Sequence, residues 1–104
     1  MFIRITPLAL VDLQDIKKYI FAELQNQAAA ENTLRKIIAA YKKLADVPFL
    51  GSSLATKIDV PTDYRFLISG AYLIFYKIED RYISISRIIY GKRDYAKILF
   101  GELA

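Results

Sequence analysis

The densest set of chemically capable side chains is the run YGKRDY, Tyr90 to Tyr95. Gly91 permits close backbone approach, Lys92 and Arg93 supply positive charge, and Tyr90 and Tyr95 supply hydroxyls. Such a run can hold a phosphate. It can equally be a turn in which Asp94 caps the next segment while the basic pair faces solvent. Arg65 and Arg87 are the other candidate cations, and with Lys92 and Arg93 they could stabilise charge on a reacting phosphate while Tyr90 or Tyr95 handles a proton. A tyrosine, with an ordinary pKa near ~10, needs strong depression by neighbouring cations before it acts as a base. Strict strand alternation would put Arg87 on the face of Ile83 and Ile85, where a guanidinium needs a partner. Asp63 and Asp94 are the expected partners, unless the strand bulges near Ser86. The alternatives are a structural ion pair and a preoriented clamp for phosphate or an acidic side chain.

What is missing narrows the chemistry further. The 104 residues include no His and no Cys. That excludes Ser-His-Asp triads, thiol nucleophiles, His-ligated metals and zinc-thiolate sites, and it fits a reducing, cytoplasmic setting. No phosphate loop of the GxxxxGK[ST] type, no GxGxxG and no metal-spaced carboxylate cluster occurs, so neither a metal nor a cofactor is expected. No run approaches the ~20 apolar residues of a membrane span, and the N-terminus lacks a signal-peptide layout.

Elements that would position these groups follow from periodicity. Thr6 and Pro7 read as an N-cap and first helical residue, with Asp12 and Asp15 early in the helix. Leu13, Ile16, Ile20 and Leu24 form its apolar stripe, and a break at Asn26-Gln27 precedes a second helix carrying Ala30, Leu34, Ile37, Tyr41 and Leu44 on one face. So brief a joint implies an antiparallel pair. Lys17, Lys18, Lys36, Lys42 and Lys43 lie off these stripes and read as solvated surface. Pro48 and Gly51 stop the second helix, and a loop runs to about Asp63.

From Tyr64 the pattern turns to β: YRFLIS, AYLIFYKI and RYISISRIIY, parted by Ser69-Gly70 and Glu79-Asp80, predict an antiparallel meander. FIRI can add an edge strand, and DYAKILF is either a short helix or a further extended piece. The expectation is an α+β fold in a single domain over 1–104, with an N-terminal strand and an antiparallel helical hairpin packed on a small, mostly antiparallel β-sheet.

Charge is uneven: net charge is +1 over residues 1–63 and +3 over 64–104, where six of eight tyrosines also lie. A positive, tyrosine-rich sheet half suits phosphates and bases, although tyrosine also simply favours strands. The 55% hydrophobic content is high for so small a chain and points to a surface shared with a partner.

Four strings in this order, DLQDIKKYI, FLG, YRFLISGAYLIFYKIED and ISRIIYGKRDYAKILF, resemble the RelE/ParE superfamily of type II toxin–antitoxin toxins, often called plasmid stabilisation proteins. The resemblance implies a bacterial growth inhibitor neutralised by a cognate antitoxin whose C-terminal segment wraps it. Wrapping by a segment that folds on binding would suit the apolar surplus.

RelE-like members cut messenger RNA on the ribosome, whereas ParE-like members poison DNA gyrase. Ribonuclease members usually place arginine directly after the tyrosine that follows the glycine turn. Here Leu73 follows Tyr72, so one transition-state cation is absent. Paired long helices also resemble the ParE branch. The resemblance therefore implies a ParE-like inhibitor of DNA gyrase, with Arg87, Tyr90, Lys92 and Arg93 as target- or phosphate-binding residues. Many ParE-like chains carry His where Tyr90 stands. The alternative is a RelE-like, ribosome-dependent mRNA endoribonuclease using Arg65, Arg87, Arg93 and Tyr95. A homodimer and a toxin–antitoxin hetero-oligomer both fit the sequence.

Overall fold

Thr6 starts the first helix as its sequence predicts. In a computed structural model describing residues 1–101, its hydroxyl accepts the Ala9 N–H at 3.1 Å, and Pro7 opens helix α1 (Pro7–Leu24). The last three residues of the expected 1–104 domain lie outside the described residues. Gln25 takes a left-handed conformation (φ 47°) that ends α1, and Asn26 caps helix α2 (Gln27–Lys42) by accepting the Ala29 N–H at 3.0 Å. Ala9, Leu13 and Ile16 of α1 are buried, and so are Ala30, Ile37 and Tyr41 of α2. The predicted α1 stripe runs out at its end, where Leu24 is 63% exposed.

Five strands form one sheet in the order β1-β5-β4-β3-β2. Strand β1 (Phe2–Ile5) is the FIRI edge strand, and it runs parallel to β5 (Tyr82–Tyr90) with Ile5 opposite Ile85. The meander of β3 (Arg65–Ser69), β4 (Tyr72–Ile78) and β5 is antiparallel, and Gly70 turns the first hairpin at φ 58°. Inside the expected loop, Ser52–Ser53 form a two-residue strand β2 on the far edge of β3.

The bulge offered as an alternative near Ser86 is present in β5, in place of strict alternation. Phe75 faces Arg87 while Tyr76 faces Ile85, so Ser86 is an extra residue and the strand bulges there. Consequently Ile88, not Arg87, joins Ile83 and Ile85 in the core beneath the helices.

Each sheet face is covered. Ile74, Tyr76, Ile83, Ile85 and Ile88 pack against the helical hairpin. Phe66, Leu73, Phe75 and Ile89 form a second core on the other face with Leu54. A short helix α3 (Tyr95–Phe100) packs there, resolving the helix-or-strand alternative for DYAKILF. Asp94 caps α3 by accepting the Lys97 N–H at 3.2 Å, and Tyr95 lies on Phe75 with ring centroids 5.4 Å apart. Among the described residues no helix is long and apolar enough to cross a membrane.

Candidate functional site

The bulge decides what Arg87 does. Its Nε donates to Asp12 Oδ2 at 2.8 Å and its Nη2 to Asp12 Oδ1 at 3.0 Å, a two-point pairing with a residue 75 positions away. The expected partners are therefore wrong: Asp63 pairs with Lys77 at 3.4 Å, and Asp94 caps α3. Asp12 also accepts the Ile88 N–H at 2.9 Å. Pairing of β1 stops at Ile85, so beyond that point the α1 carboxylate takes over a free edge donor of β5. The hydrogen bond to Asp12 holds the Arg87 pKa above its ordinary value, against a smaller opposing effect of burial.

Arg65 is likewise engaged inside the fold. Its Nη2 donates to the Gly51 carbonyl at 2.6 Å, its Nε to the Tyr76 hydroxyl at 3.4 Å, and its guanidinium lies 4.9 Å from the Phe49 ring centroid. Leu73 is buried in the second core. Tyr95 is half-buried against Phe75, with Lys57 Nζ 5.7 Å from its ring centroid.

Tyr90, Lys92 and Arg93 stand at the exposed end of β5. These features match the turn reading of YGKRDY, since Asp94 caps α3 and the basic pair is exposed. Gly91 does allow a close approach, though to backbone: its N–H donates to the Ala71 carbonyl at 2.8 Å, and a Cβ on it would lie 3.2 Å from that oxygen.

Arg93 and Tyr90 line a cleft of about 450 Å³ together with Tyr72, Tyr19, Asp15 and Asp12. Tyr72 and Tyr90 meet edge to face with centroids 6.0 Å apart. Burial first, and then the neighbouring Tyr19 and Tyr90, push the Tyr72 phenol above its ordinary pKa. It is thus protonated near neutrality, a phenol able to donate a hydrogen bond and poorly suited to remove a proton. The cleft offers phenol donors, aromatic surface, the Arg93 guanidinium and the Asp15 carboxylate, which makes no ion pair among the described residues.

Sequence reasoning found Tyr90 and Arg93 and missed Tyr19 and Asp15. Asp12, Asp15 and Tyr19 recur at helical spacing on one flank of α1, a signal that could have linked them. Of the four residues proposed for RNA cleavage, Arg93 lines the cleft, Arg65 and Arg87 use their donors within the fold, and Tyr95 stacks over the second core.

The family profile described as ParE toxin of type II toxin–antitoxin system, parDE, matches residues 3–95. The chain belongs to this ParE toxin family. Among solved structures, a chain from the chromosomal ParDE TA system of P. aeruginosa superposes on this ParE-family toxin with a TM-score of 0.75. The two share 22% identity over 88% of this chain and 97% of that one, a likeness of fold alone. No curated protein matches the sequence.

Proposed function

We propose that this ParE-family toxin arrests growth in the cytoplasm by binding DNA gyrase, without cutting RNA, and that a cognate antitoxin neutralises it in a toxin–antitoxin hetero-oligomer. The observation that carries the reading is the engagement of two of the three arginines a nuclease site would use. Arg87 is held on Asp12 and Arg65 on the loop carbonyl of Gly51. A guanidinium whose Nε and Nη2 are committed to internal partners is fixed in place and has fewer donors left for a phosphate in the transition state. By contrast, the cleft of Tyr19, Tyr72 and Tyr90 with Arg93 has the composition of a protein-recognition surface, because tyrosine and arginine dominate binding hot spots. Tyr90, Lys92 and Arg93 would touch the target, and Arg87 would position β5 beneath them.

Expression without antitoxin, followed by primer extension on cellular transcripts and a supercoiling assay with purified gyrase, tests the reading. Intact transcripts and inhibited supercoiling are expected. Arg93→Glu should weaken that inhibition about tenfold or more while leaving the melting temperature unchanged. Codon-phased cleavage that Arg93→Ala abolishes would overturn the proposal in favour of the endoribonuclease.

A further inference from the structure

Asp12 and Asp15 stand three residues apart on one flank of α1, and they differ in what they hold. Asp12 takes the Arg87 guanidinium at two points, 2.8 and 3.0 Å. Asp15 lines the same cleft yet makes no ion pair among the described residues. One helical turn beyond Asp15 comes Tyr19, which also lines the cleft and is 64% exposed.

The sheet supplies the opposite wall. Tyr72 is paired with Tyr90 across β4 and β5, as Ile74 is with Ile88 beside them, so all four lie on the face beneath α1. Among the described residues the tyrosine hydroxyl that hydrogen-bonds within the fold is that of Tyr76. Those of Tyr19, Tyr72 and Tyr90 have no protein partner. The cleft thus combines one carboxylate, three rings and three phenol oxygens, none of them engaged internally by a polar contact.

From these features we infer that the cleft receives an arginine side chain of the toxin's protein target, its guanidinium set among Tyr19, Tyr72 and Tyr90 and donating to Asp15. The fold already contains the same chemistry one step along the helix, where Arg87 pairs with Asp12. A guanidinium is planar and weakly hydrated, stacks on aromatic rings, and has N–H donors enough for a carboxylate and phenol oxygens at once. A lysine ammonium is more strongly hydrated and has no plane to stack. Arg93, exposed at the cleft, opposes a second incoming cation and suits an acidic side chain next to the arginine. A free phosphate fits less well, because the Asp15 carboxylate lines the cleft along with Arg93 and repels it.

The inference rests on the reading that this cleft contacts a protein target, and it adds what that target must present. The full chain, isotope-labelled in its tyrosine rings, is titrated by NMR with the peptide acetyl-Gly-Arg-Glu-Gly-amide at millimolar concentration. Comparison probes are the same peptide with lysine, the same peptide with citrulline, which keeps the shape of arginine without its charge, and GMP, whose guanine edge also suits a carboxylate. The arginine peptide should shift the ring signals of Tyr19, Tyr72 and Tyr90 and bind about fivefold or more tightly than the lysine and citrulline peptides. Asp15→Asn and Tyr19→Leu should each remove most of that preference, with circular dichroism melts matching the unaltered chain. Absence of ring shifts, equal binding of the citrulline peptide, an undiminished preference in Asp15→Asn, or tighter binding of GMP would each overturn the assignment. Supercoiling inhibition by the unaltered chain reports separately on the proposed function. Inhibition without arginine recognition sinks this site alone, and arginine recognition without inhibition leaves the site standing with a different protein target.

Discussion

Asp12 gives both carboxylate oxygens to β5, one to Arg87 Nη2 and the other to Arg87 Nε and the Ile88 N–H. In the sequence it read only as an acid early in a helix, yet it lies beyond the first turn of α1 and its partner is across the fold. The bulge at Ser86 was legible from the place of Arg87 in the alternation, but nothing local could have disclosed a partner 75 positions away. Leu73 was legible by contrast, since its type alone removes a cation. The side chains of Arg87 and Asp12 are only 22% and 12% exposed, so removing one leaves the other poorly solvated. Asp12→Ala should lower stability by about 2–4 kcal/mol in urea titrations. Asp12→Ala combined with Arg87→Ala should cost less than the two single losses together, which a double-mutant cycle would measure. Additive losses would contradict the pairing as the source of the effect.

The segment between α2 and β3 shows how an irregular element is fixed. Tyr76, fully buried in β4, donates its hydroxyl to the Pro48 carbonyl at 2.8 Å and accepts the Gly51 N–H at 3.1 Å. Gly51 is required there for space: a Cβ would lie 2.3 Å from the Phe66 carbonyl oxygen. Tyr76→Phe should therefore destabilise the chain by about 1–3 kcal/mol and speed amide exchange at Gly51, read by hydrogen-exchange NMR. Elements with local signals were legible: Thr6-Pro7 at the start of α1, Asn26 at the start of α2 and Gly70 in the first hairpin. The two-residue β2 was not, because it exists only by pairing with Arg65 and Phe66. The ending was ambiguous for a similar reason. The second core, which Tyr95 and Phe100 help to cover, is assembled from strands distant in sequence.

At the scale of the molecule, a sheet with two covered faces was only half foreseen. Alternation in β5 suggested one wet face, whereas Leu73, Phe75 and Ile89 meet α3 on that side. Burial of tyrosines in this compact arrangement has a consequence for pH. The phenols of Tyr41 and Tyr72 are both raised above their ordinary value, Tyr41 by burial and Tyr72 chiefly by burial. Between the unfolded value near ~10 and the higher folded values, the unfolded chain holds fewer protons, so stability declines as pH rises. Their contribution should be intact below about pH 10 and lost progressively above it, as the denaturation midpoint would record. Tyr41→Phe and Tyr72→Phe should each flatten that alkaline decline.

The parallel pairing of Phe2–Ile5 with Tyr82–Ile85 joins the opening of the chain to a strand made near its close. During synthesis at ~5–20 residues per second, the first strand waits about 4–16 s for its neighbour to be made. Throughout that interval Ile3 and Ile5 have no sheet to enter, and the nascent polypeptide exposes greasy surface that a chaperone can hold. Sheet completion is thus a late event of biosynthesis, so a frameshift or premature stop ahead of residue 82 leaves a fragment whose first strand has no mate.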